Sequence, residues 1–188
     1  MMKFYSNSLP FTTLNIGLIV TDFLQLTKFR LAISVVFSSL AGYLLAVDKI
    51  ETNVLLGLSL GGFAMVGASN ALNQLIEKNK DSLMSRTQNR PLPGGRMSNS
   101  IAATIATFLA ITGIIVLLDI NYKTAIFGAL SIFLYTCVYT PLKSVTSLAV
   151  FVGAFPGAIP FMLGWVAATG SFGIEPGILF MIQFFWQF

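Results

Sequence analysis

Asn73, Glu77 and Asp81 are spaced four residues apart. On a helix, that spacing places all three side chains on one face, about one turn from each other. An amide oxygen and two carboxylates are hard donors. With water and a ligand's own oxygens they can complete the octahedral shell that magnesium prefers. Just downstream stand Arg86, Arg90 and Arg96, whose guanidinium forks match phosphate oxygens in a way a lysine point charge does not. Acids that hold a divalent cation, followed by arginines that hold an anion, describe a site for a metal–diphosphate pair. The same residues also fit a solvated loop, with Glu77 paired to Lys80 and Asp81 to Lys78 as helix-surface ion pairs worth roughly 0.2–0.5 kcal/mol each. From spacing alone the two readings stand level.

The rest of the composition narrows the chemistry. The chain has no histidine, which removes the commonest metal ligand and the usual general base. A metal must then be held mainly by oxygen, which favours magnesium-like ions over zinc. Its one cysteine, Cys137, cannot form an intrachain disulfide and reads as a small packed apolar residue.

The elements that must position these residues are membrane spans. Of the 188 residues, 55% are apolar and 10% are charged, far from the charged surface that a water-soluble domain needs. Five stretches, at about 31–47, 53–76, 101–120, 124–140 and 148–169, are long and apolar enough to cross a bilayer, and a sixth begins near Pro176. Residues 1–10 lack the apolar run and cleavage site of a signal peptide, and 11–26, with Asp22 and Gln25 inside it, reads as an interfacial helix. The apolar run Phe184-Phe185-Trp186-Gln187-Phe188 is too short for a full span, so the expectation is an amino-terminal part of a longer protein.

Loop charges orient the spans. Lys3, Lys28 and Arg30 precede the first span, Lys78, Lys80, Arg86, Arg90 and Arg96 follow the second, and Lys143 follows the fourth. The other side holds only Lys49 and Lys123. The positive-inside rule puts the basic loop at 77–98 in the cytoplasm. The same placement explains the net charge of +4 by membrane orientation, so no nucleic-acid partner is expected. Glycines and other small residues in the second and fifth spans suit close helix packing, and Pro156 and Pro160 are expected to kink the fifth and free carbonyls.

The pattern Asn73-x-x-x-Glu77-x-x-x-Asp81, followed by Met84-Ser-Arg86-Thr87-x-x-Arg90-Pro91-Leu92-Pro93, resembles the first acidic motif of the UbiA-type intramembrane prenyltransferases. Its basic continuation looks like the protoheme farnesyltransferase branch. Tyr139-Thr-Pro-Leu-Lys143 is similar to the family's Tyr-x-x-x-Lys element, and Gly153-Ala-Phe-Pro-Gly-Ala-Ile-Pro with Gly164-Trp165-Val-Ala-Ala-Thr-Gly170 resembles the fifth helix of that branch. Thr27-Lys28-Phe29-Arg30 also fits.

The resemblance implies an all-α integral membrane fold, a bundle of nine helices of which this chain would hold five and the start of a sixth. Residues 1–188 would then be a partial domain, with 1–27 as its amino-terminal segment, 77–98 as its metal–diphosphate loop, and a second acidic motif lying beyond it. The implied donor is farnesyl diphosphate, the acceptor heme b, the cofactor Mg2+, and the location the bacterial inner membrane. Asn73, Glu77 and Asp81 match the metal-binding and catalytic positions. Arg86, Arg90, Lys143 and Tyr139 match the diphosphate-binding positions. A quinone or chlorin prenyltransferase is the alternative within the family. A small cation transporter is the alternative outside it, but that reading expects ionisable groups near the bilayer midplane, and here the acids cluster at one edge.

Overall fold

The computed structural model describes residues 16–187, and all regular structure among them is helical. The short helix α1 (Ile16–Leu26) leads into α2 (Phe29–Ala46), α3 (Thr52–Asp81) and α4 (Asn99–Ile120). The next span, Tyr122–Leu142, is built from α5 (Tyr122–Phe133), a π-helical turn (Leu134–Tyr139) and α6 (Thr140–Leu142). Then come α7 (Ala149–Thr169) and α8 (Ile174–Trp186). Five of these spans are long and apolar enough to cross a membrane, at the places the composition indicates. Residues 11–15 of the expected interfacial helix lie outside the described residues. Large apolar side chains such as Phe37, Phe108 and Ile115 face outward at 70%, 67% and 60% exposure, the surface of an integral membrane protein rather than a soluble one.

One boundary matters for the site. α3 does not stop at the end of its apolar run near Ile76; it runs 30 residues to Asp81. Residues 77–81, expected within the loop, therefore belong to a rigid helix, and the connection to α4 begins at Ser82.

Packing follows from small residues at the crossings. α2 and α7 meet backbone to backbone: a Cβ on Gly164 would overlap the Ser39 carbonyl oxygen, and one on Gly42 would overlap the Phe161 carbonyl oxygen. Met65 of α3 lies in a slot left open by Gly113 of α4 and Gly128 of α5. Around these crossings Tyr43, Leu58, Met65, Leu117, Ile159 and Val166 form the main core. Pro156 and Pro160 both lie within a continuous α7. Pro160 has no N–H to offer the Pro156 carbonyl, and Ser131 Oγ donates to that oxygen instead at 3.4 Å. At the far end, the Glu51 N–H donates to Tyr43 Oη at 2.8 Å. Asn121 Nδ2 donates to the Val166 carbonyl at 3.2 Å, while its Oδ1 accepts from the Thr124 N–H at 2.9 Å.

The 82–98 connection is fastened at three points. Thr87 Oγ1 donates to the Asp81 carbonyl at 2.8 Å, beside a longer bond from the Met84 N–H at 3.4 Å, covering the end of α3. Leu92 is fully buried against Leu26, Ala71, Ala102 and Ala106. Arg96 Nε donates to Asp22 Oδ1 at 2.9 Å, and its Nη2 to Gln25 Oε1 at 3.2 Å and to the Asn89 carbonyl at 3.1 Å. The left-handed turn at Gly95 (φ 72°) brings Arg96 back over α1.

Two predictions follow from the packing. Gly164→Leu forces α2 and α7 apart and should cost at least about 2 kcal/mol, read as a lower thermal midpoint in detergent. Asp22→Ala removes the carboxylate that holds Arg96 and should speed limited trypsin cleavage at Arg86 and Arg90 several-fold while the spans stay protected; an unchanged cleavage rate would show that Leu92 and Thr87 hold the connection without it.

Candidate active site

Asn73, Glu77 and Asp81 share one face of the last turns of α3, and all three are buried, at 2%, 8% and 5% exposure. They sit at the carboxyl end of the helix, where the unsatisfied carbonyls already carry partial negative charge. Two carboxylates there raise the negative potential further. A region of that kind must be neutralised to be buried at all.

Each of the three side chains meets a cation from a different part of the chain. Lys143 Nζ lies 3.0 Å from Glu77 Oε1 and 3.2 Å from Oε2. Arg90 Nη1 lies 2.6 Å from Asp81 Oδ2. Lys28 Nζ donates to Asn73 Oδ1 at 3.3 Å. Asn73 Nδ2 in turn donates to Glu77 Oε2 at 3.0 Å and to Thr140 Oγ1 at 3.1 Å. Burial, with Arg90 and Lys143 nearby, pushes the Lys28 ammonium down to about 8, while Glu77 and Asp81 pull it the other way. Three cations face two carboxylates, so the cluster carries one net positive charge when Lys28 is protonated.

The helix-surface pairs that compete with this arrangement do not form. Lys78 Nζ donates to Asn99 Oδ1 at 2.9 Å, and the carboxylates turn toward Lys143 and Arg90 instead. Tyr139 lies one helical turn before Lys143, with its ring against Gly153 and 5.3 Å from the Tyr135 ring. Arg86 is exposed and makes no ion pair with any described residue. Arg96 is committed to Asp22 and does not join the cluster.

Lys28, a cation at the entry to the first span within Thr27-Lys28-Phe29-Arg30, gains a further place from the fold. Asn70 Nδ2 donates to the Thr27 carbonyl at 3.0 Å, and Gln74 Nε2 to the Gln25 and Leu26 carbonyls at 2.9 and 2.8 Å. These amides tie the α1–α2 turn to α3. Lys28 then takes a left-handed conformation, φ 49° and ψ 56°, uncommon for a residue with a side chain, and its ammonium reaches Asn73. The signal in the sequence is the amide pair Asn70 and Gln74 inside an apolar span, on the same turns as Asn73 and Glu77.

Below the cluster, a cavity of about 420 Å³ runs between α2, α3, the π-helical turn and α7. Asn70, Tyr135 and Tyr139 line it on the side of the charged groups, and Gln183 and Gln187 of α8 line it elsewhere. Its remaining walls are largely apolar, including Leu31, Val66 and Pro160.

The donor set suits a hard divalent ion. It offers one amide oxygen and two carboxylates, all buried, with no soft ligand beside them. Among the described residues no group of three or more His, Cys, Asp or Glu side chains comes together, so these three positions supply only part of an octahedral shell. Water and ligand oxygens must supply the rest.

Residues 35–188 match the UbiA prenyltransferase family. The chain is 69% identical over 173 residues to a protoheme IX farnesyltransferase of Flavobacterium psychrophilum, covering 90% of this chain and 58% of that protein. It is 66% identical over 170 residues to one of Christiangramia forsetii, covering 90% and 57%. To the human mitochondrial protoheme IX farnesyltransferase it is 41% identical over 165 residues, covering 87% and 37%. A solved structure of digeranylgeranylglyceryl phosphate synthase in membranes superposes with a TM-score of 0.80 at 20% identity, covering 89% of this chain and 59% of that one, which speaks for the fold. The chain thus spans less than 60% of the bacterial relatives named here, and on the match over 35–188 it belongs to the UbiA prenyltransferase family.

Proposed function

We propose that this chain forms the prenyl-donor half of a protoheme IX farnesyltransferase, which transfers farnesyl from farnesyl diphosphate to heme b and gives heme O. The observation that carries the reading is the buried row Asn73, Glu77 and Asp81, each side chain meeting its own cation, beside a cavity with mainly apolar walls. The names of the similar proteins supply the donor and acceptor.

The cluster's electrostatics suit the substrate. Magnesium is the natural ion for the oxygen set of Asn73, Glu77 and Asp81. When bound there with diphosphate, it supplies charge neutralisation for the departing oxygens. A trianionic diphosphate with one divalent ion carries one net negative charge, which balances the single excess positive charge of the cluster. Lys143 and Arg90 can turn from the carboxylates, and Lys28 from the Asn73 amide oxygen, to the phosphate oxygens. Arg86, exposed on the connection, is a further cation that the arriving diphosphate can recruit. Bond cleavage leaves an allylic cation, which the Tyr135 and Tyr139 rings can stabilise through their faces. Apolar walls limit premature capture by water. The acceptor vinyl carbon then attacks, forming the new C–C bond and leaving the positive charge on the other vinyl carbon beside the porphyrin. Water adds there and loses its proton, which gives the hydroxyl of heme O. Diphosphate departs as the leaving group, and no covalent enzyme nucleophile is needed. The distribution of Lys and Arg supports a cytoplasmic position for the cluster, and the similarity to bacterial proteins supports an inner-membrane location.

The direct test is product analysis. The full-length protein, given heme b, farnesyl diphosphate and magnesium, should yield heme O by mass spectrometry. Chelation with EDTA should stop the reaction and magnesium should restore it. Prenylation of an aromatic acid in place of heme would move the protein to another branch of the family. Asp81→Asn should lower magnesium-dependent turnover by about 100-fold or more, and heme O formation at the unchanged rate would remove Asp81 from the site. Arg90→Ala should raise KM for farnesyl diphosphate, and it should also lower stability, because it strands the Asp81 carboxylate at about 3 kcal/mol.

A further inference from the structure

Pro141 brings no N–H to its helix, and its ring presses on the carbonyl one turn earlier. The turn directly before it is widened, with Leu134–Tyr139 π-helical. In that turn the Tyr135 carbonyl accepts twice from Thr140, once from the backbone N–H and once from Oγ1 at 2.7 Å. A threonine hydroxyl has a single proton. With that proton on Tyr135, Oγ1 can only accept from any other partner.

The other partner is Asn73. Its Nδ2 donates to Thr140 Oγ1 at 3.1 Å and to Glu77 Oε2 at 3.0 Å. The two ends of an amide have nearly the same shape, and hydrogen-bond polarity alone tells them apart. Both acceptors therefore claim the nitrogen end, and Oδ1 faces Lys28 Nζ. Thr140 is 1% exposed and Asn73 2%, so bulk water has little access to replace the missing bond.

We infer that Thr140 is a positioning residue that fixes the Asn73 amide with its oxygen toward the ligand side, and that the π-helical turn before Pro141 sets the polarity of Thr140. The inference rests on the reading of Asn73 as an oxygen ligand. It assigns a role to a position inside the Tyr139-to-Lys143 element whose hydroxyl is taken up by the Tyr135 carbonyl and the Asn73 amide. Without the hydroxyl, Asn73 keeps only Glu77 to hold its nitrogen end and can turn that end toward the ion.

The test uses Mn2+ as the probe, bound to the full-length protein in detergent with and without inorganic diphosphate and read by electron paramagnetic resonance. Thr140→Val keeps the shape and removes the hydroxyl; it should weaken Mn2+ binding about tenfold, the size usual for loss of a group that orients a ligand. Thr140→Ser keeps both bonds and should stay within about twofold of the wild type. Thr136→Val is the control: its hydroxyl donates to the Ile132 carbonyl at 2.7 Å in the same span without touching Asn73, and its loss should leave Mn2+ affinity unchanged. In turnover, Thr140→Val should raise the magnesium concentration needed for half-maximal rate more than it lowers the rate at saturating magnesium. Wild-type affinity in Thr140→Val, or equal losses in Thr136→Val and Thr140→Val, would overturn the inference. If Thr140→Val does not fold, Thr140→Ala is read by the same criteria. A wild-type protein that binds no Mn2+ even with diphosphate would instead overturn the site assignment itself.

Discussion

The neutralisation of Glu77 and Asp81 is the constraint on which this end of the molecule depends. Both carboxylates are less than a tenth exposed and stand at the negative end of a long helix. Ionised groups in such a place are tolerated only when paired and hydrogen-bonded. The partners come from elements far apart in sequence: Lys143 after the π-helical turn and Arg90 from the connection after α3. Lys28 adds a third cation from the α1–α2 turn. Satisfying α3 therefore draws three separate segments to one point. The bundle's charged end is organised around that helix.

The connection between α3 and α4 shows how the requirement is met in a chain with few polar groups. Thr87 covers the last carbonyl of α3, Leu92 is sunk into a small apolar cluster, and Arg96 is held by Asp22 on α1. The partly exposed Arg96–Asp22 pair contributes little alone, and the buried Leu92 side chain is the larger anchor. Together they restrict where Arg90 can go, which makes its short contact with Asp81 compatible with a segment that has no regular structure.

Much of this is legible in the amino-acid sequence, and the limits have physical reasons. The spans can be read because apolar runs and loop charges report directly on the bilayer. The common face of Asn73, Glu77 and Asp81 can be read because helical spacing is local. What cannot be read is which cation meets which acid. Lys80 and Lys78 are closer in sequence, yet the carboxylates face inward and pair with residues 66 and 9 positions away. Arg96 looks like a companion of Arg86 and Arg90 until the fold brings Asp22 beside it, 74 residues earlier. Lys28 depends on a left-handed backbone residue held by amides of α3. The role of Thr140 depends on a widened turn, of which Pro141 is the only local sign.

The backbone contact between α2 and α7 bears on how bulky molecules reach the interior. Gly42 and Gly164 bring the two chains so near that no side chain could be inserted between them, and a seam of that kind opens only by separating the helices along much of their length. These two helices form part of the cavity wall. At these crossings the wall leaves no gap between α2 and α7 for a guest to pass through. α8 meets α7 through ring contacts, such as Phe155 with Phe180 and Phe184, and through Phe184 packed on Ala154 and Ala158, and aromatic faces can slide over one another where glycine-seated backbones cannot.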